Sequence, residues 1–397
     1  MPPPSSISAK HADDAALWLN DKQRAIEDAI AALVEVNSFT DNTEGGRKVG
    51  TLLRDLFRVD GVDASARQSE RYADHLIFKT QPKAPNTGAI ALLGHLDTVF
   101  PPGTFEGYRR DGDLARGPGV LDMKGGLVVV AFALKALAAT GGFESIAPIR
   151  VVVVADEEVG SPEGQAIIAA AIAGSSAALV FEAGRKNDLI ITRRKGTGGM
   201  TAIAHGKAAH AGAKHEEGAN ALWALARFVD RVQALSDYAR GITVNVGKIT
   251  GGQGKNTVPD LAEALLDVRF CSKADGDALV LEVQRAAHAA AESVKGTRIE
   301  ISGGIARPPL EKTDASVALM AEYAACARAS GLGDGEAPLI GGGSDASTSS
   351  SIGIASIDGL GPRGSGFHTK DELIEVATLV PKAQALARFL AGRSRDA

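Results

Sequence analysis

The chain has 397 residues, of which 45% are hydrophobic and 23% charged, a composition typical of a globular protein and a length that favours two domains. Its net charge of −5 is too small to imply a surface for a polyanion, so no nucleic-acid partner is expected. The N-terminal sequence lacks a basic stretch followed by an apolar core, and no apolar run is long enough to cross a bilayer. We therefore expect a cytoplasmic protein with no membrane partner, in which Cys271 and Cys326 stay reduced.

Helix-like and strand-like segments alternate along the first half of the chain. The four consecutive valines from Val151 to Val154 indicate a strand buried on both faces. Ser161 is expected to cap the next helix, with Pro162 at its first position. This βαβ rhythm predicts a mostly parallel sheet covered by helices. The elements predicted in chain order are helices at 15–36 and 47–57, a strand at 88–94, a Pro- and Gly-rich loop at 101–119, a helix at 124–139 and strands at 149–155 and 177–181.

The pattern changes near Lys195, where the strand-like segments alternate more openly between apolar and polar residues. A strand, a helix, two strands, a helix and a strand follow one another, with the helices at 219–235 and 274–294. This order predicts a separate α+β sandwich with one sheet face open. After Ala306 the buried pattern returns, with a strand at "ASIDGL" and a closing helix at 376–390. We therefore predict an inserted domain at 195–307 within a discontinuous domain formed by 1–194 and 308–397.

Three adjacent acids, Asp156, Glu157 and Glu158, directly follow the valine-rich strand and have no basic residue beside them. Like charges at the end of a buried strand repel each other unless a positive group lies among them. His95 and Asp97 follow another buried strand, and residues two apart on an extended chain point the same way. A carboxylate in that position often fixes the tautomer of a metal-binding imidazole.

Other polar residues lie at the ends of predicted elements: Asp122 precedes the apolar helix, Glu182 ends a strand, and His368 lies in a Gly-rich loop. Singly, each has a structural explanation, since Asp122 suits a helix N-cap and an H-x-D pair suits the surface. Together they place imidazoles and carboxylates beyond strand ends, where open α/β sheets form ligand sites. Such nitrogen and oxygen ligands suit zinc, and two metals bridged by one carboxylate would balance the acids.

With these residues in view, the chain resembles the M20 family of metallopeptidases, most closely its glutamate carboxypeptidase branch. The resemblance covers residues 15 to 390, and its motifs are specific in combination. It implies two zinc ions per subunit and a homodimer formed through the inserted domain. The motifs occur in family order: "GHLDTV", "GPGVLDMKGG", "ADEEVGS", "FEAG", "GKAAHAG", "NTVP", "DVR", "GGGSDAS" and "GFHTKDE".

The resemblance also implies roles for single residues. Asp122 bridges the two metals, often through a following peptide bond that is cis in this family. Glu157 matches the general base, and Asp97 matches the carboxylate that orients His95. The implied metal ligands are His95 and Glu182 for one zinc, Glu158 and His368 for the other, and Asp122 for both.

In the inserted domain, His210 matches a histidine that reaches the partner subunit's active site and stabilises the oxyanion. Arg307 matches the residue that binds the substrate α-carboxylate with two hydrogen bonds, and Lys195 is a candidate to help it. A solvated surface turn is the competing interpretation of the basic run Arg193–Lys195. The remaining implied substrate contacts are Asn256, Arg269 and Gly343.

The predicted function is zinc-dependent release of a C-terminal amino acid, with glutamate as the first candidate, from a peptide or N-acyl amino acid. An N-acyl-amino-acid deacylase of the acetylornithine or succinyl-diaminopimelate type is the alternative within the class, and Met123 does not separate the two. A non-catalytic, metal-stabilised binding module is a third possibility. That module predicts loss of Glu157 or of a metal ligand, whereas every such position is present here.

Overall fold

The computed structural model describes residues 6–393 apart from Pro82 and Pro85. Its α-helices are α1 (Ser6–Trp18), α2 (Gln23–Val34), α3 (Thr43–Leu56), α4 (Lys124–Thr140), α5 (Gly164–Ile172), α6 (Ala221–Gln233), α7 (Lys273–Glu292), α8 (Asp314–Ala329), α9 (Ala346–Ser351) and α10 (Leu379–Gly392). Its strands are β1 (Val62–Arg67), β2 (His75–Thr80), β3 (Ile90–His95), β4 (Arg109–Asp111), β5 (Leu114–Arg116), β6 (Ile149–Val154), β7 (Ala177–Val180), β8 (Gly196–His205), β9 (Ala209–His210), β10 (Thr243–Gly251), β11 (Thr257–Val258), β12 (Leu261–Phe270), β13 (Arg298–Arg307), β14 (Ser356–Ile357), β15 (Gly364–Ser365) and β16 (Leu373–Glu375).

The chain divides into two compact units. The main unit comprises the chain up to Thr192, Lys312–Leu339, and the chain from Ser344 onward. The inserted unit comprises Arg193–Glu311 and Ile340–Gly343. The insertion thus begins at Arg193 and ends at Glu311, rather than at Lys195 and Arg307. The chain passes from one unit to the other four times, because Ile340–Gly343 returns to the inserted unit.

A six-stranded sheet in the order β1-β2-β6-β3-β7-β14 forms the centre of the main unit. Strands β6, β3, β7 and β14 run parallel, which confirms the predicted mostly parallel sheet, while β1 and β2 add an antiparallel edge. Every residue of β3, β6 and β7 is buried. Side chains of successive strand residues point to opposite faces, so the valines of β6 contribute to packing on both sides of the sheet.

Helix α4 is buried along most of its length and packs with α1, α2 and α10 into the hydrophobic core. Helices α5 and α9 pack near β6, β7 and β14. A smaller antiparallel sheet, β15-β16-β5-β4, joins two distant parts of the chain. It carries the loop before α4 and the hairpin that contains His368, and it thereby brings two predicted ligands onto one support.

The inserted unit is built on the antiparallel sheet β10-β12-β8-β13, with a two-stranded ribbon of β9 and β11. Buried residues alternate with partly exposed ones along β8 and β12. Helices α6 and α7 pack with this sheet around a separate hydrophobic core that includes Phe228, Phe270 and Val283. This arrangement is the predicted α+β insertion.

Some local predictions differ from the structure. The helix predicted at 15–36 is instead two helices, α1 and α2, because the chain turns around Asn20 and Asp21. Asn and Asp side chains favour such turns because they compete for backbone hydrogen bonds. Helix α8 was not predicted, although Thr313 and Ser316 form a capping box at its start. No helix in the described part of the chain combines the length and apolarity needed to cross a membrane.

Candidate active site

The predicted metal ligands from the central sheet lie at the carboxyl ends of neighbouring strands. His95 is the last residue of β3 and pairs with Val154, the last residue of β6. Glu182 lies two residues beyond the end of β7. Parallel strands that end at one edge therefore bring side chains together that are far apart in sequence.

Two glycines allow the start of α4 to lie close to these strand ends. A Cβ atom at Gly94 would lie 2.5 Å from Met123 Cε, and one at Gly126 would lie 2.1 Å from the carbonyl oxygen of Phe181. A larger residue at Gly126 would require the backbone to move, and one at Gly94 would displace the side chains of Met123 and Leu127. The glycines therefore allow Asp122, just before α4, to approach His95. The Asp122–Met123 peptide bond is cis, as the resemblance implies.

The first group of potential ligands contains His95, Asp122 and Glu182, all of them buried. His95 Nε2 lies 3.4 Å from Asp122 Oδ1 and 3.7 Å from Glu182 Oε1. Neither His95 Nε2 nor Asp122 Oδ1 has a hydrogen-bond partner of acceptable geometry. Buried polar atoms are rarely left in this state, so their arrangement fits a bound cation.

The second group contains Asp122, Glu158 and His368. His368 Nε2 lies 3.0 Å from Glu158 Oε2 and 3.4 Å from Asp122 Oδ2. Asp122 thus directs one carboxylate oxygen toward each imidazole. Each group offers one imidazole and two carboxylates that could hold a cation, and Asp122 is common to both.

Asp97 supports both the imidazole and the acidic turn. Its Oδ1 lies 3.4 Å from His95 Nδ1, and its backbone carbonyl lies 3.0 Å from the same nitrogen. Its two carboxylate oxygens also accept hydrogen bonds from the backbone N–H groups of Glu157 and Glu158, at 3.2 and 3.1 Å. Thr40, which the sequence did not single out, donates its hydroxyl to Asp97 Oδ2 at 2.8 Å.

The three adjacent acids have different surroundings. Glu157 and Glu158 begin a 3₁₀ turn and are only partly buried, whereas Asp156 is fully buried. Asp156 Oδ2 accepts hydrogen bonds from the N–H groups of Glu163 and Gly164, at 2.7 and 3.0 Å. Asp156 therefore satisfies backbone N–H groups at the first turn of α5.

The predicted capping role of Ser161 is wrong. Helix α5 begins at Gly164, after Pro162, and the role expected of Ser161 is carried out by Asp156. Ser161 instead donates its hydroxyl to Asp345 Oδ1 at 2.6 Å. The backbone reason is its φ of +51°, which lies outside the extended region normal for an N-cap.

The charges of the two groups depend strongly on each other. Burial lowers the pKa of His95, but the carboxylates of Asp122, Asp97 and Glu182 outweigh burial and hold it well above its usual value. Contacts with Asp122 and Glu158 raise the pKa of His368 to about 10. Burial would raise the pKa of Asp122, yet its contacts with His368 and His95 keep it below its usual range.

The remaining two carboxylates are driven toward their neutral forms. Burial raises the pKa of Glu182 to about 8, and the nearby charge of Asp122 adds to that shift. Burial also raises the pKa of Glu158, against the effect of its contact with His368. Protons on these carboxyl groups and on the imidazoles offset the negative charge of the cluster. A bound cation would offset it instead, so cation binding would release these protons.

Glu372 was quoted within a motif but was not recognised as a supporting residue. It is fully buried and accepts three backbone hydrogen bonds from the loop that presents Asp122. Lys124, also fully buried, donates its ammonium to the carbonyl of Val36 at 2.9 Å. Burial lowers the pKa of Lys124 to about 7, although the charge of Glu372 opposes that shift.

In the inserted unit, His210 and Asn256 lie together on the ribbon of β9 and β11. His210 pairs with Thr257, and the carbonyl of Asn256 accepts from the N–H of Ala211 at 2.9 Å. His210 Nδ1 accepts from the N–H groups of Gly212 and Ala213, both at 3.1 Å. This contact requires an unprotonated Nδ1, so the neutral ring carries its proton on Nε2 and offers it as a donor.

Arg307 and Gly343 lie beside each other in the same unit. Arg307 is buried, and a Cβ atom at Gly343 would lie 3.0 Å from its Cδ. Arg194 is also buried, and its guanidinium donates toward the carbonyl groups of Gly342 and Gly343, at 3.3 and 3.4 Å. A solvated turn is therefore wrong for Arg194, although the side chain of Arg193 is exposed.

The other two predicted substrate contacts in this unit have local neighbours. Lys195 is partly buried, and its backbone N–H donates to the carbonyl of Ile340 at 2.9 Å. Arg269 donates two hydrogen bonds of 2.8 Å to the carboxylate of Asp267 on the same strand. A substrate carboxylate at Arg269 would have to compete with Asp267.

Comparison with known proteins relates the chain to the M20 peptidases. The M20 peptidase dimerisation domain matches residues 192–295. The chain is 27% identical to carboxypeptidase G2 of Pseudomonas sp. (strain RS-16) over 378 residues, covering 93% of this chain and 89% of that protein. The chain thus carries an M20 peptidase dimerisation domain and is similar to a carboxypeptidase along most of its length. The chain is also 30% identical to acetylornithine deacetylase of Myxococcus xanthus, over 53% of this chain and 59% of that enzyme.

The fold of this chain is shared with solved structures. The YXEP protein of Bacillus subtilis, a dinuclear metal-binding peptidase of the M20 family, superposes with a TM-score of 0.69. The match covers 94% of this chain and 98% of that protein at 17% identity, a level that concerns the fold alone. The M20 metallopeptidases use metal ions, and the two groups of potential ligands in this chain are consistent with that use.

Proposed function

We propose that this protein is a di-zinc amide hydrolase that releases a C-terminal amino acid from a peptide or N-acyl amino acid. Glutamate is the first candidate for the released amino acid. The observation that carries the proposal is the sharing of Asp122 between two histidine and carboxylate groups. Nitrogen and oxygen donors in such groups suit zinc. The proposed ligands are His95 and Glu182 for one ion, Glu158 and His368 for the other, and Asp122 for both.

Two zinc ions, when bound there, would supply Lewis acidity and lower the pKa of a water molecule. Glu157 directly precedes the ligand Glu158 and is proposed to take the proton from the attacking water. The same carboxyl group then returns that proton to the leaving amine. Asp97 holds the backbone of Glu157 and Glu158 as well as the His95 ring, so it orients base and ligands together.

His210 is proposed to stabilise the oxyanion that forms on the scissile carbonyl, in the active site of a partner subunit. Its support is the two N–H groups that hold Nδ1 as an acceptor and leave Nε2–H as the donor. A homodimer through the inserted unit is part of this proposal, and the match to a peptidase dimerisation domain supports it.

Arg307 is proposed to bind the substrate α-carboxylate, with Lys195, Asn256, Arg269 and Gly343 as further substrate contacts. A buried guanidinium suits a carboxylate because it can donate two parallel hydrogen bonds. The similarity to carboxypeptidase G2 along most of the chain supports release of a C-terminal amino acid. The shorter match to acetylornithine deacetylase supports deacylation of an N-acyl amino acid as the second candidate.

A substrate panel on zinc-loaded protein tests the proposal. Peptide-linked and aroyl-linked glutamates are compared with N-acetylornithine and N-succinyl-diaminopimelate by kcat/KM. We expect the glutamate amides to be hydrolysed fastest, and faster turnover of the acylated diamino acids would assign the deacylase function instead. Glu157→Gln is the matched control because it keeps every proposed ligand: kcat should fall about 10²- to 10⁴-fold while two zinc ions remain bound. Full activity in this variant would refute the base assignment.

A further inference from the structure

We propose that Glu372 is a positioning residue of the metal centre, which fixes the Asp122 loop relative to the hairpin that carries His368. The inference deepens the proposed function and rests on it. Asp122 and His368 are both members of the second ligand group, yet they lie on segments distant in sequence. A residue that joins these two segments controls whether that group can form.

The contact of Glu372 with the Asp122 loop uses both carboxylate oxygens. Oε1 accepts hydrogen bonds from the N–H groups of Leu121 and Asp122, at 2.8 and 3.0 Å. Oε2 accepts from the N–H of Gly119 at 3.0 Å. These three donors point to one buried carboxyl group, and one of them belongs to the bridging residue itself. The backbone of Asp122 therefore cannot shift without breaking the contact.

The link from Glu372 to His368 is a short, closed turn. The hairpin strands β15 and β16 pair at Ser365 and Leu373, immediately before and after this turn. Within it, the N–H of Thr369 donates to the carbonyl of Gly366 at 3.0 Å, and the N–H of Glu372 donates to the carbonyl of Thr369 at 3.2 Å. These bonds connect the segment that carries His368 to Glu372.

The small sheet supports the same arrangement from the other side. Strand β16 pairs with β5, with Leu373 opposite Arg116, and β5 leads into the loop that Glu372 holds. The sheet holds the two loops only where they leave β5 and β16, whereas Glu372 contacts the backbone of Asp122 itself. A Gln at this position has almost the same shape, but its NH₂ group would face at least one of the three N–H donors.

The experiment measures zinc binding rather than turnover. Metal-free wild type, Glu372→Gln and Glu375→Gln are titrated with zinc against a competing chelator, and their unfolding is followed without metal. Glu375 is the matched control because it lies on the same hairpin but accepts from Arg363 Nε, at 2.8 Å, instead of from the Asp122 loop. We expect wild type and the control to bind two zinc ions, and Glu372→Gln to bind the second ion about 10- to 100-fold more weakly.

Each other result counts against the inference. Wild-type affinity for both ions in folded Glu372→Gln would overturn it, and equal weakening of both ions would remove the coupling to His368. If Glu372→Gln does not fold, Glu372→Asp keeps the charge on a side chain shorter by one methylene, and it must show the same selective loss. Failure of the wild type to bind two zinc ions would instead refute the proposed metal centre, which separates the two failures.

Discussion

The predicted residues of the main unit and those of the inserted unit differ in how completely they form a site. In the main unit, five predicted ligands lie in two groups that share Asp122, and atoms such as His95 Nε2 are buried with no hydrogen-bond partner. In the inserted unit, the predicted residues occupy separate places: His210 lies on an exposed ribbon, Arg307 is buried beside Gly343, and Arg269 is bonded to Asp267. The proposed metal ligands thus converge within one unit, whereas the proposed substrate contacts lie apart from one another in the inserted unit.

This difference separates two kinds of function. A metal centre requires several donors within a few ångströms of one ion, so its residues must converge before anything binds. Oxyanion and carboxylate contacts require only that each donor reach its own part of the substrate. Substitutions in the main unit should therefore affect metal content, and those in the inserted unit should affect turnover or substrate affinity while metal content stays the same.

The largest expected effect is that of Asp122→Ala, which removes the shared carboxylate from both ligand groups. We expect both zinc ions to bind more weakly. We also expect kcat/KM to fall by more than about 10⁴-fold, which is the largest loss typical of a missing general base. Zinc content by atomic absorption and kcat/KM are the measurements. Asp111→Ala, at an exposed position on β4, serves as the control. Retention of two tightly bound ions in Asp122→Ala would contradict the shared-ligand assignment.

His210→Ala should have the next largest effect and a different character. Loss of one oxyanion donor should lower kcat by about 10²- to 10³-fold, while two zinc ions remain bound. His215→Ala, an exposed histidine of the same unit, should leave kcat unchanged. A drop in zinc content with His210→Ala would break the distinction between the two units. Activity restored by mixing His210→Ala with Glu157→Gln would show that the histidine acts in the partner subunit's site.

Arg307→Lys should act mainly on substrate affinity. Lysine keeps the positive charge but loses the paired donors that hold a carboxylate, so we expect KM to rise about tenfold with a smaller change in kcat. Steady-state kinetics on a substrate and on its α-amide test this assignment. The amide lacks the carboxylate that Arg307 is proposed to bind, so replacing the substrate by its amide should raise KM more for the wild type than for Arg307→Lys. Arg298→Lys, at the exposed start of β13, is the matched control. An equal loss on the amide in both proteins would exclude Arg307 from carboxylate binding.

The smallest expected effect concerns stability and pH. The folded pKa values of His368, about 10, and Glu182, about 8, both exceed their ordinary values of 6.5 and 4.5. A raised pKa contributes stability that is present at low pH and is lost as pH rises through the folded value. The midpoint of thermal unfolding of metal-free protein should therefore fall from pH 7 to 10. Zinc-loaded protein should show a weaker fall, because the ions replace those protons. A fall of the same size in both forms would contradict the pKa assignments.

The residue pattern predicted the central elements because their signals are local. The buried strands at 88–94, 149–155 and 177–181 are found as β3, β6 and β7, and the apolar helix at 124–139 is found as α4. Positions at the ends of such strands follow from the sheet, which is why residues like His95 and Glu182 could be named together. Their individual roles came from the family resemblance and not from spacing.

The sequence did not indicate contacts between distant segments. Glu372 accepts from Gly119, 253 positions earlier in the chain, and no periodicity signals such a pair. Serine before proline is a local signature of a helix start, which is why Ser161 is the predicted cap of α5. The backbone N–H groups of Glu163 and Gly164 are instead satisfied by Asp156, which follows the preceding strand. Both cases involve a buried carboxylate whose partners are backbone N–H groups, and backbone groups carry no sequence signature.

The four passages of the chain between the units have a consequence for modularity. The segment Ile340–Gly343 is held to the inserted unit by backbone hydrogen bonds, from Lys195 to Ile340 at 2.9 Å and from Ile340 to Arg193 at 3.2 Å. A recombinant fragment of residues 193–311 would lack that segment and leave these groups without their partners. A chimera that exchanges the inserted unit between relatives would have to transplant two pieces of sequence, because residues 340–343 belong to the inserted unit and not to the unit of their neighbours in the chain.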